Sequence, residues 1–205
     1  MIHCAIGDVL VSQEGREKEG ILMYHKCVGS FEEGNSNPNL IRVFLKLGRA
    51  YRSIGVWDDS IASLEKGLSI TESIEDERIG NQLKGLAKQS LGKTYLDKCE
   101  SLPERNDELV RKAIFWSEAA FNLQHDATVE LLLDLAQEHY YLGDTEKAHN
   151  MIQKYLDGTV KLGPSQCQSC HQICAKDAIM EKWSVGKVAR YCSEAGCATR
   201  SCPRC

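Results

Sequence analysis

The sequence predicts an all-α chain: a solenoid of helical hairpins over residues 1–158, followed by a small cysteine-rich module over 159–205. Three observations lead there. A Leu-small pair followed three residues later by an aromatic or His recurs in one register. It reads Leu47, Gly48, Tyr51, then Leu91, Gly92, Tyr95, then Leu135, Ala136, His139, with the small residues 44 apart. Apolar residues three and four apart surround each pair, which is the stripe of a helix buried on one side. Seven of the ten cysteines fall between Cys167 and Cys205, a concentration that a helical array does not need.

Composition sets the bounds. The 205 residues are 42% hydrophobic and 26% charged, enough to bury a core. A net charge of −4 and a pI near 5.9 give no global attraction to nucleic acid or an anionic membrane, so either partner would need a local patch. The opening "MIHCAIGDVLVSQEGREKEG" lacks the basic-then-apolar pattern of a leader, and no run approaches the roughly 18–20 apolar residues that span a bilayer. The expectation is a soluble intracellular protein, cytoplasmic or nuclear. Thiols are kept reduced there, which directs the cysteine cluster toward metal and away from disulfides. Cys4, Cys27 and Cys99 are scattered and read as small buried apolar residues.

The hairpins follow in order. The first, about 1–36, carries Ile6, Gly7, Leu10, Gly20, Tyr24 and Cys27 with one inserted residue, and leaves little room for its first helix after Met1. "GNSNPN" (34–39) is a break by its turn residues. The second, about 39–72, contains "FLKLGRAYRSIGVWDDSIASLEKGL" with Phe44, Leu47, Gly48, Tyr51, Gly55, Ser60, Leu64 and Gly67 in the recurring places. The third, about 79–123, keeps Leu91, Gly92 and Tyr95, then Ala113, Ser117 and Ala120. Its segment "ESLPERNDELVR" lengthens the corner by about nine residues over the usual spacing. The fourth, about 127–158, holds Leu132, Leu135, Ala136, His139, Gly143, Ala148, Ile152 and Tyr155. In "SIGVWDDS" and "YLGDTEKA" a Gly ends one helix and Asp or Thr starts the next. Gly48 and Gly92 let paired helices approach closely, and stacking supplies the core that one hairpin lacks.

Over roughly residues 1–158 these motifs resemble the tetratricopeptide repeat (TPR). The resemblance implies a curved array whose inner face, formed by the first helices, binds extended peptides or helices. The positions it assigns to that groove are Arg42, Leu45, Arg49 and Arg52, then Leu86, Gln89, Lys93 and Leu96, then Glu130, Leu133, Gln137 and Tyr140. Arg42, Arg49, Arg52, Gln89 and Lys93 form a candidate seat for an acidic peptide or a C-terminal carboxylate, which Arg can clamp in a bidentate way. A solvated helix face is the alternative. His139 falls at a packing position, where a core or interface role is the default.

In the tail, Cys167-x2-Cys170 is a chelating loop that needs a second, distant pair to complete a tetrahedron. Cys192 and Cys197 are the nearest such pair. "KVARYCSEAGC" resembles the MYND-type zinc finger, whose eight ligands hold two interleaved zinc ions. The resemblance implies Cys167, Cys170, Cys192 and Cys197 as one site. The ligand pair of the other falls on Trp183 and Gly186, neither of which coordinates metal. Cys192 to Cys197 is one residue longer than the family's spacing, and the usual Trp, His and final Cys are replaced by "ATRSCPRC". One zinc ion is therefore expected. One alternative set joins Cys202 and Cys205 to Cys167 and Cys170; another takes a ligand or two from Cys170, His171 and Cys174 with Cys202 and Cys205 to hold a second ion. A disulfide-bonded tail and a metal-free one remain as other readings.

A four-thiolate zinc leaves no open position for water, no phosphate-binding Gly-rich loop is present, and the histidines lack a nucleophile at a telling spacing. No enzyme is expected. The function expected is an adaptor that binds protein partners through the array, with the zinc module as a second, structural recognition surface. The alternatives are a ubiquitin-pathway component with a RING-like module and an array with a nonfunctional tail. No small-molecule substrate or membrane is expected, nucleic acid is disfavoured, and the oligomeric state is open.

Overall fold

The computed structural model describes residues 2–31, 37–123 and 129–160. The described residues form eight α-helices joined by turns, with no strand among them. The helices are α1 (Ile2–Val11), α2 (Glu17–Val28), α3 (Pro38–Ser53), α4 (Trp57–Ile70), α5 (Glu77–Glu100), α6 (Asp107–Phe121), α7 (Val129–Leu142) and α8 (Thr145–Val160). They divide into two compact units, Met1–Asp134 and the part from Leu135 onward.

In the first unit α1 pairs with α2, α3 with α4 and α5 with α6, while α2 packs on α3 and α4 on α5. The first helices α3 and α5 also touch, so they form one wall. Two apolar clusters hold the stack. Ile21, Tyr24 and Cys27 of α2 meet Val43, Phe44, Leu47 and Ala50 of α3. Ile41, Leu45 and Leu64 meet Leu83, Ala87 and Leu91 of α5. Burying each such side chain contributes about 1.5–3 kcal/mol, which is why the hairpins depend on their neighbours.

Small residues set the helix spacing. A Cβ placed on Gly48 would lie 2.5 Å from Leu64 Cγ, and one on Gly67 3.1 Å from Phe44 Cβ. Ser60 of α4 ties both its neighbours: its Oγ donates to the Gly48 carbonyl of α3 at 2.7 Å, and its hydroxyl lies 3.2 Å from that of Thr94 in α5, both side chains fully buried. At the other seam the Tyr24 hydroxyl donates to Asp8 at 2.8 Å and Lys46 Nζ to the other Asp8 oxygen at 2.6 Å. Burial, then the Asp8 hydrogen bond, pushes the Tyr24 hydroxyl well above its usual range.

Gly15, Gly55 and Gly143 turn the chain at equivalent places with φ of 83°, 73° and 86°, the left-handed region that favours glycine. The third hairpin has Cys99 at that place, and its added length is shared out: α5 runs on to Glu100 as a 24-residue helix, and the link to α6, residues 101–106, is longer than the link 54–56 between α3 and α4. The caps divide similarly. Asn37, Asp76, Asn106 and Asp144 each accept from backbone N–H groups at the start of α3, α5, α6 and α8. Helix α4 starts from Val56 with no side-chain cap, and Asp58 and Asp59, expected near the cap, lie in its first turn. There they favour the helix through its dipole.

From Leu135 onward, α7 ends at Gly143 and α8 begins after Asp144; Leu135, Ala136, His139, Ala148 and Ile152 are buried. His139 at 2% exposure is a core residue, as its repeat position suggests. Among the described residues no helix is long and apolar enough to cross a membrane.

Candidate functional site on the first helices

The first helices of the Met1–Asp134 unit place four of the five candidate groove residues in one electrostatic cluster. Arg49 and Arg52 stand one turn apart at the end of α3, Gln89 and Lys93 one turn apart on α5. Two acids that sequence reading missed join them. Arg52 Nε lies 3.6 Å from Asp97, Lys93 Nζ lies 3.2 Å from Asp134, and Gln89 donates to the same Asp134 oxygen at 3.3 Å. Lys93 and Asp134 side chains are 34% and 18% exposed, half-buried enough for the pair to hold its geometry. The seat is therefore less basic than the sequence suggested, because two of its cations already have partners.

Asp97 sits among both signs of charge. Burial pushes its carboxyl above the usual carboxylate range; Arg52 and Lys93 pull it down, and Glu100 and Asp134 push it up. Burial prevails because the two cations are offset by the two acids.

Arg49 differs from the others. Among the described residues it has no carboxylate within ion-pair distance. By surface area it is exposed, yet surrounding protein atoms, and then Arg52, lower its guanidinium pKa. Arg49 is thus open to solvent and repelled by Arg52, and an incoming carboxylate would relieve that repulsion. Arg42 is about two turns away on the same helix, exposed and bonded to Asn39 at 3.2 Å.

Two apolar residues assigned to the groove belong to the core. Leu45 and Leu96 are 4% and 5% exposed, and Leu45 packs in the cluster with Leu64 and Leu83. Leu86 is half-buried at the edge of that cluster. The Glu130 side chain lies outside the described residues, as do the candidate metal ligands Cys167, Cys170, Cys192 and Cys197 and the alternatives His171, Cys174, Cys202 and Cys205. Among the described residues no cluster of three His, Cys, Asp or Glu side chains forms a metal site. Cys27 and Cys99 are buried and Cys4 is half-buried, its thiol pushed up by burial in spite of Lys46.

No family model matches the chain, and no curated protein matches it. Among solved structures it is similar to the human IFIT1 dimer with PPP-AAAA, at 24% identity and a TM-score of 0.54. The likeness covers 76% of this chain and 32% of that one, so the chain spans about a third of the length of the protein it matches. IFIT1 is a TPR-containing helical protein, and what the likeness establishes is the fold: an all-helical, TPR-like array.

Proposed function

We propose that the chain is a protein-interaction adaptor whose array takes an acidic segment of a partner on the inner face of α3 and α5, by binding without chemistry. The observation that carries this reading is Arg49. Its neighbours Arg52 and Lys93 are engaged by Asp97 and Asp134, whereas Arg49 is exposed and, among the described residues, has no carboxylate within ion-pair distance. The two ion pairs fix the walls, and Arg49, beside them on α3, is the group placed to meet a ligand carboxylate. Arg49, Arg52 and Lys93 together select against strongly basic segments.

The test is fluorescence anisotropy on the full chain with a labelled acidic peptide bearing a free C-terminal carboxylate, and with its Lys-substituted counterpart. Saturable binding of the acidic peptide alone, weakening as salt rises, supports the reading; equal binding of both refutes it. PPP-AAAA, the ligand named with IFIT1, is the control for an oligonucleotide. The net charge of −4 and the two acids in the cluster disfavour it.

The second surface in this proposal is the tail, with Cys167, Cys170, Cys192 and Cys197 holding one structural zinc. Metal quantitation on residues 160–205 tests it. One zinc per chain is expected, and a Trp183→Cys, Gly186→Cys double variant should gain more. Zinc-free protein removes the module from the proposal and leaves the groove.

A further inference from the structure

Two of the three cysteines outside the tail meet in space. Helices α1 and α2 run antiparallel, with Gly7 against the Tyr24 ring and Gly20 against Val11; a Cβ added to Gly7 would lie 2.6 Å from that ring. Three residues back along α1 and three on along α2 from the Gly7–Tyr24 pair, the same pairing sets Cys4 opposite Cys27. Their side chains interact thiol to thiol, and neither is oxidised. The glycines hold the two helices close, which a disulfide requires, since its Cα atoms lie within about 7 Å of each other.

The two thiols differ in their surroundings. Cys27 is fully buried in the cluster with Tyr24 and Phe44, whereas Cys4 is half-buried at the edge of that cluster. Lys46 of α3 brings its ammonium to 3.8 Å from Cys4 Sγ while it holds Asp8 at 2.6 Å. Burial pushes the Cys4 thiol up, Lys46 pulls it down, and Cys27 and Asp8 push it up again. The cation is the group at the site that favours the thiolate. Cys99 has no such setting: it is buried, and its thiol donates to the Asn106 carbonyl at 3.5 Å.

We propose that Cys4 and Cys27 form a redox modification site, a dithiol that hydrogen peroxide converts into a disulfide fastening α1 to α2. Cys4 is the attacking thiol, because it has both access and the cation, and Cys27 behind it is the resolving thiol. The Cys4 thiolate attacks one peroxide oxygen and the O–O bond breaks. The departing hydroxide takes up the proton the thiol gave, leaving one water and a sulfenic acid at Cys4. The Cys27 sulfur then attacks the Cys4 sulfur, the S–O bond breaks, and the hydroxyl leaves with the Cys27 proton as a second water. Two thiols lose two electrons, and one peroxide is reduced to two waters. A dithiol reductant reverses the bond. Because burial outweighs Lys46 at Cys4, the reaction is slow at neutral pH and quickens as pH rises.

The test treats the full chain with hydrogen peroxide, alkylates the remaining thiols and maps tryptic peptides without reduction. Cleavage after Arg16, Lys26 and Arg42 places Cys4 in peptide 1–16 and Cys27 in peptide 27–42. The expected product is these two peptides joined, and dithiothreitol should separate them. Cys4→Ser and Cys27→Ser should each abolish it, Cys99→Ser should keep it, and Lys46→Met should slow its formation severalfold at neutral pH. The oxidised parent should also melt at a higher temperature than the reduced one, a rise that Cys4→Ser lacks. Cys4 is only half-buried, so that variant keeps the fold even where Cys27→Ser does not, which circular dichroism checks. Cys4 and Cys27 both recovered alkylated, either one joined instead to a tail cysteine, or a rate indifferent to Lys46 overturns the proposal.

Discussion

Replacing Gly48 by Ala tests the close packing on which the array depends. A helical Gly→Ala change is worth about 0.8–1.0 kcal/mol in favour of the helix. Here the new methyl would lie 2.5 Å from Leu64 Cγ and 2.6 Å from Cδ2, and Leu64 is fully buried, with nowhere to swing. Overpacking of that kind costs about 1–3 kcal/mol, so the net effect is a loss of up to about 2 kcal/mol. In a chain of this length that lowers Tm by up to roughly 8 °C. Leu64→Ala alone should cost about 2–5 kcal/mol through its cavity. In the double variant the methyl added at position 48 enters the vacated space, and the combined loss should fall short of the sum by about 1–2 kcal/mol. Urea unfolding followed by helical ellipticity measures all four proteins. A stabilised Gly48→Ala, or additivity within about 0.5 kcal/mol, would refute the argument that Gly48 is small in order to admit Leu64.

Three other outcomes follow from the geometry. Asn106 accepts from the Glu108 and Leu109 amides at 3.0 and 3.2 Å, so Asn106→Ala should cost about 1 kcal/mol in the same assay; no loss would show the cap to be idle. Gly143 has φ of 86° and nothing within 4 Å of a Cβ, so Gly143→Ala should lose about 1–2 kcal/mol from the backbone alone, and Asn there should lose less. Asp97 has its folded pKa raised, chiefly by burial, so the folded state holds its proton more tightly than the unfolded state. The stability this contributes is present below the ordinary value of 3.8 and is lost as pH rises through the folded value. Asp97→Asn should therefore match the parent in acid and equal or exceed it at neutral pH. The difference is modest because the side chain is 42% exposed. A neutral-pH loss instead would make the Arg52 attraction the dominant effect.

The repeat was legible because its chemistry is local. Gly48, Gly92 and Ala136 hold one register, and turn glycines at Gly55 and Gly143 punctuate it, so the helices and their pairing could be read from spacing. At the third corner the lengthening was legible and its division was not: Cys99 stands where a turn glycine would, and part of the added length went into α5. The acids of the groove were missed for a different reason. Asp97 and Asp134 are partners across hairpins, a distance that helix periodicity does not report. A signal existed: Arg52 to Asp97 and Gln89 to Asp134 both span 45 residues, one more than the repeat, so each partner sits one place further along on the next first helix. Leu45 and Leu96 were given to the groove by position, but burial is decided by what packs opposite.

The central claim is that Arg49 is the cation reserved for a ligand while Arg52 and Lys93 brace the groove. Isothermal titration of one acidic peptide into the full chain and into its Arg49→Gln and Arg52→Gln variants tests it most directly. The account predicts that Arg49→Gln weakens binding by about tenfold or more, as loss of a charge-assisted hydrogen bond of about 1.5–3 kcal/mol requires, and leaves Tm unchanged or slightly raised. Arg52→Gln should lower Tm and alter binding less. Equal affinities for the parent and Arg49→Gln, or a larger binding loss at Arg52, would contradict it.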